Sequence, residues 1–423
     1  MEFSIQTEKT IKELFPLFET CAVYKEMDEN GYETRKDFNK MAGIFFNDMV
    51  RAERYAKTLE IKGTISDFSL DTSQSLIHGH GNKFLPIDVS RYIEKRSKCI
   101  LTYRCIVNKI KITIHFILFH DIMLFMEESR KSLEEYDLYA KNMLTWLYLC
   151  SIYSYSKNTC VNELVVNVFL TPLTRKLPVS NEQILGPAHI NGAYTYCCKP
   201  SGKIYIFRKE DWFKVFIHET FHAFGLDFCS TSSTDLKNTT RSIFNINSEF
   251  NIDEAYSETW AVIYHSVFIS YLSMKRKNLS EFTMNLDACL QTERLYKLFQ
   301  CNKILDFMGL KYEDLYDGAK KPLSLKLYRE ETNVFSYCVL TCVFLNDYIS
   351  FLKWCFTNNT KTEMVSFAIR LKTLNEFGGF IKKQYKSKTL LDCLKYADEL
   401  LIANKVKKND FMLYRTNMAV FEM

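Results

Sequence analysis

The chain has 423 residues, 47% of them hydrophobic, which suits one large domain or two to three smaller ones with ample core and excludes a disordered chain. A net charge of +5 spread over 55 basic and 50 acidic residues declares no nucleic-acid surface. Met1 leads into Glu2 and Thr7-Glu8-Lys9 with no apolar signal segment, so the 14 cysteines are expected as thiols of a reduced, cytoplasmic chain, with Cys197-Cys198 and Cys338/Cys342 serving as packing.

Residues 1–60 read as helical, with Met41, Ile44, Phe45, Met49 and Val50 recurring at helical spacing after Asp37-Phe38. From Gly63 to Pro86 the composition turns to Ser, Asp, Thr and Gly, and this loop carries His78-Gly79-His80. Two histidines without a third ligand are expected there as polar surface. Cys99 to Val107 and Lys111 to Phe119 predict a hairpin turning at Asn108-Lys109. A long amphipathic helix is predicted over Leu133 to Tyr155, and a buried strand over Leu164 to Leu170, ended by Pro172. Ala193 to Tyr196 and Lys203 to Phe207 predict a second hairpin through Lys199-Pro200-Ser201-Gly202. Tyr194 and Tyr196, two apart, share one strand face and would form an aromatic wall if that face were open.

The strand Lys203 to Phe207 runs into His218-Glu219-Thr220-Phe221-His222, followed by Ala223-Phe224-Gly225. At about 3.6 residues per turn, His218 and His222 stack on one helix face, where two imidazoles can hold one zinc ion. Glu219 beside them is placed to take a proton from a metal-activated water. Glu210 and Asp211 open this helix, Trp212, Val215 and Phe216 give it an apolar face, and Gly225 stops it.

A catalytic zinc needs a third protein ligand, and the sequence offers several. The pattern HExxHxxGxxH is matched up to Gly225, but its last position is Phe228, which cannot bind metal. Asp227 follows the helix and is either a ligand or a solvated loop acid. Asp253-Glu254-Ala255-Tyr256-Ser257-Glu258 opens a later helix with Glu254 and Glu258 one turn apart, either facing the metal or lying on a solvated face. Tyr256, Tyr264, His265 and Tyr337 are candidate donors to an oxyanion. Beyond Asn278 the chain reads as helices near 279–308, 329–357, 362–383 and 387–405. The most apolar run, Cys338 to Phe356, contains Asn346, Asp347 and Lys353 and so reads as a buried helix, with no membrane span expected.

The order of elements, the HExxH helix and the later acidic helix together resemble the gluzincin branch of the zincin metallopeptidases over about residues 100–275. Leu185-Gly186-Pro187 through Phe228 is more distantly similar to uncharacterised zincin-like proteins of large DNA viruses. The resemblance implies an α+β fold: a mixed sheet behind the active-site helix, its edge strand pairing with extended substrate, and a largely helical C-terminal lobe. Domains are then expected at 1–95 (helical extension), 96–275 (catalytic core) and 276–423 (helical lobe). Carried over by position, His218, His222 and Glu254 would be zinc ligands, Glu219 the general base, and Glu258 the carboxylate that fixes a ligating imidazole. Tyr337 is the expected catalytic donor. The implied activity is zinc-dependent hydrolysis of peptides or proteins, with a zincin-fold structural or virion-associated protein that binds zinc without turnover as the alternative.

Overall fold

The computed structural model describes residues 3–21, 29–69, 84–119, 130–154, 160–359 and 364–423, so His78-Gly79-His80 lies outside the described residues. The protein is α+β, and its residues fall into two compact units. One comprises Asn47–Thr174 and Asn191–Leu226; the other comprises Met1–Phe46, Arg175–Ile190 and Asp227–Met423.

The first unit is built on a six-stranded mixed sheet of β1 (Thr64–Asp67), β2 (Cys99–Val107), β3 (Ile110–Leu118), β4 (Glu163–Thr171), β5 (Ala193–Thr195) and β6 (Ser201–Arg208), in the order β1-β2-β3-β4-β6-β5. Asn108 and Lys109 both take left-handed φ (44° and 73°), which closes the two-residue turn with Val107 opposite Ile110. A two-residue hairpin of that handedness follows the twist of its strands, so the expected turn is the observed one. β3, β4 and β6 run parallel, and Ile114, Val166 and Ile204, adjacent in register, are fully buried. Together they form an apolar stripe across the centre of the sheet. β5 pairs antiparallel with β6 and forms the sheet edge, as expected. β1 lies in a stretch read as loop; with only four, mostly exposed residues it carries no apolar alternation to reveal it.

Helix Ile87–Arg96 lays Val89 and Ile93 on the sheet in a core with Ile117, Phe169, Tyr194, Tyr205 and Phe207. Tyr194 stacks on Tyr205 with ring centroids 4.7 Å apart, while Tyr196 is exposed. The condition for an aromatic wall is therefore not met at Tyr194, whose ring is covered, and burying a tyrosine ring there gains more than exposing it to solvent.

The second unit is helical. A central helix, Leu279–Phe307, packs against an acidic helix, Ile252–Leu272, against the N-terminal helix Ile5–Thr20 and against Lys388–Val406. The predicted single helix over 329–357 is instead a π-helical turn, Phe335–Leu340, followed by Thr341–Asn346 and Tyr348–Asn358, with a bend of 90°. Asp347 sits at the break and caps the next segment by accepting from the Ser350 N–H at 3.0 Å. A side chain that caps a new helix start competes with continuation of the old one. Among the described residues, no single helix is long and apolar enough to cross a membrane, although the bent pair passes by composition.

Candidate metal centre

The motif helix runs Trp212–Phe224 and follows β6 after three residues. All of its residues are buried, as expected of a helix that is apolar nearly all round. Ile217, Thr220, Phe221 and Ala223 have no exposed surface, whereas Val215, His218, Glu219 and His222 keep 6, 5, 7 and 8%. Those four positions are spaced i, i+3, i+4 and i+7, so the helix retains one thin accessible stripe, and the two imidazoles and the carboxylate occupy it. Its opposite side is fixed by Trp146, which donates from Nε1 to Thr220 Oγ1 at 2.6 Å and stacks on Phe221. Within the stripe, His218 Nε2 and His222 Nε2 lie 3.2 Å apart. Two imidazole nitrogens on one tetrahedral zinc, each about 2.0–2.1 Å from it, sit about 3.3–3.4 Å from one another, so the pair already has a ligand's bite.

Gly225 ends the helix with φ +60°, the left-handed cap that the sequence predicts. A Cβ there would lie 3.0 Å from Cys198 Sγ and 3.5 Å from Cys160 Sγ. Those two sulfurs form a disulfide across 38 residues, and Cys198 N donates to His222 O at 3.0 Å. Cys197 and Cys229 are also disulfide-bonded, which corrects the expectation of an all-thiol chain in which Cys197-Cys198 only packs. The other ten cysteines are free thiols, Cys338 and Cys342 among them. Closing a loop of that length takes about 4 kcal/mol of chain entropy from the unfolded state, anchoring the segment beside His222. Adjacent cysteines whose partners lie far along the chain give no spacing pattern to read.

On the acidic helix, Glu254 is partly buried: Asn333 Nδ2 donates to Oε1 at 3.2 Å and the Tyr337 hydroxyl to Oε2 at 3.0 Å. Glu258 is 2% exposed and accepts from Lys297 Nζ at 2.7 Å. The reading of two surface carboxylates on a solvated helix is therefore wrong. Lys297, on the central helix and itself 1% exposed, is a functional neighbour that the sequence reading missed. It is the counter-charge that offsets the burial of this carboxylate in the core.

Tyr337 belongs to the π-helical turn, a distortion that often marks sites where a side chain must be presented out of helical register. Its entry is held by Glu330 Oε2, which accepts from the Phe335 N–H at 2.8 Å. Burial pushes the Glu330 carboxyl up to about 8, against the hydrogen bonds from Phe335 and Tyr328.

The remaining candidates are otherwise engaged. Asp227 is not a solvated loop acid but is 1% exposed, accepting from Cys229 N at 3.1 Å and from the Ser257 hydroxyl at 2.8 Å. Tyr256 donates to Val365 O at 2.7 Å, Tyr264 packs edge-on against Phe45, and His265 is buried. Phe228 packs against Phe367 and Tyr256, as befits a residue that cannot ligate. No family model, curated protein or solved structure matches the chain, so its functional reading rests on this chemistry alone.

Proposed function

We propose that the chain is a zinc-dependent hydrolase of the zincin type, acting on peptide bonds, with His218, His222 and Glu254 as metal ligands. The observation that carries the reading is the 3.2 Å separation of the two Nε2 atoms on the accessible stripe of the motif helix. The same separation suits a hydrogen bond between a protonated and a bare imidazole nitrogen, and zinc content distinguishes the two. The residue types add support: two imidazoles from the motif helix and a carboxylate from the acidic helix are a donor set that suits a catalytic zinc. Cys229 is in a disulfide and so offers no thiolate beside Asp227 as an alternative ligand pair.

Bound there, zinc would supply Lewis-acid chemistry, acidifying water and polarising a carbonyl. Glu219, on the same stripe as the histidines, takes the proton from the attacking water and returns it to the leaving amine. Tyr337 orients Glu254 through its hydroxyl hydrogen bond and is the donor assigned to a developing oxyanion. The place of β5 at the end of the sheet's strand order, among the described residues, suits an extended peptide added as a further strand.

Zinc-loaded protein incubated with a diverse peptide library and read by mass spectrometry tests this. Cleavage by the wild type, reduced about 10²–10⁴-fold in Glu219→Gln with zinc retained, is expected. Equal cleavage by both, or none by either, would reject the hydrolase and leave a structural zincin.

A further inference from the structure

A second reactive arrangement lies in the helical unit, independent of the metal reading. Cys21 caps the helix Ile5–Thr20, and Cys393 lies on the helix Lys388–Val406. The Cys21 thiol donates to the Cys393 backbone carbonyl at 4.0 Å, which brings the two residues together. Arg294 of the central helix reaches both residues, donating from Nη2 to Cys393 Sγ at 3.2 Å and from Nη1 to Cys21 O at 2.7 Å. Its other bonds go to Asn346 O and Asn346 Oδ1, at 2.9 and 3.0 Å. Arg294 is 2% exposed, and among the described residues no carboxylate forms an ion pair with it. A guanidinium cannot shed its charge, so burying it among neutral partners calls for an anion, and the sulfur within its reach is the group able to become one. Cys21 beside it, together with Arg294, holds the Cys393 thiol below the ordinary thiol range against burial and the charge of Asp392, while Cys21 is pushed up by Cys393 and by burial.

We propose that Cys21 and Cys393 are a peroxide-reactive thiol pair, in which Cys393 is oxidised first and Cys21 then closes a disulfide onto it. The Cys393 thiolate attacks one oxygen of hydrogen peroxide; an S–O bond forms, the O–O bond breaks, and hydroxide leaves. Sulfur loses two electrons and becomes a sulfenic acid. Cys21 loses its proton and attacks that sulfur; an S–S bond forms, the S–O bond breaks, and the departing hydroxide takes the proton as water. The new bond would tie the end of the N-terminal helix to Lys388–Val406.

The chain contains its own controls. Cys105 is more accessible, but burial of its thiol pushes it up to about 11. Cys301 and Cys342 are also neighbouring thiols, but they are 0 and 1% exposed, no described arginine bonds to either, and Cys301 is raised by Cys342 beside it and by burial. Cys21 and Cys393 keep 3 and 5%.

The test treats the full chain with hydrogen peroxide near neutral pH, blocks remaining thiols with N-ethylmaleimide, and maps peptides by mass spectrometry without reduction. A Cys21–Cys393 linked peptide, reversed by dithiothreitol, should accumulate at least about ten-fold faster than oxidation at Cys105 or linkage of Cys301 to Cys342. In Cys21→Ser, dimedone should label Cys393 ahead of every other cysteine. Linkage no faster than at Cys301 and Cys342, or dimedone label at Cys105 before Cys393, overturns the proposal.

Discussion

The motif helix Trp212–Phe224 and the acidic helix Ile252–Leu272 are both almost wholly buried, and both carry carboxylates, yet they manage them in opposite ways. On the motif helix His218, Glu219 and His222 lie within about one turn and share the stripe that keeps the most exposed surface. On the acidic helix Glu258 has almost no surface and depends on Lys297, 39 residues away, while Glu254 depends on Asn333 and Tyr337, 79 and 83 residues away. Local spacing thus arranges the first set of groups and tertiary structure arranges the second. A charged group can be buried either beside solvent that serves it or beside a partner that neutralises it, and the two helices illustrate one solution each.

Removing the partner should break the second solution most severely. Lys297→Met leaves the buried Glu258 carboxyl without its counter-charge and hydrogen-bond donor and should cost about 3–5 kcal/mol in chemical denaturation, much of it recovered by adding Glu258→Gln. A loss below about 1 kcal/mol, or no recovery, would show that Glu258 does not rely on Lys297.

A second, pH-dependent effect sharpens the account of how Tyr337 is delivered to Glu254. Burial raises Glu330 from 4.5 to about 8, so between those values the folded chain keeps a proton that the unfolded chain releases. Its contribution to stability is full below about 4.5 and is lost as pH rises to about 8, by at most about 1.4 kcal/mol per unit. The stability difference between wild type and Glu330→Gln should therefore fall over that window, other groups cancelling in the subtraction. Parallel stability curves would mean that Glu330 titrates normally.

The same contrast explains what the sequence could reveal. The Asn108-Lys109 hairpin, the strands flanking the motif and the Gly225 cap are local devices, and each stands where its residues predict. The edge position of β5 followed from hairpin order. What escaped depends on residues distant in sequence: the disulfide of Cys160 with Cys198, the Lys297 counter-charge, and the covering of Tyr194 by Val89 and Ile93. The π-helical turn and the break at Asp347 escaped for another reason. Phe335 to Asn358 has continuous helical periodicity, and only the Asp347 side chain, bonding Ser350, signals the new start.

The most direct test of the central claim is the zinc content of wild-type protein purified without metal-affinity steps, measured beside Glu254→Ala by elemental analysis. About one zinc per chain in the wild type, and loss of that zinc in Glu254→Ala, is the predicted result. A wild type that carries no zinc and gains none on reconstitution would contradict the metal centre. Full zinc in Glu254→Ala together with loss in Asp227→Ala would contradict the choice of third ligand.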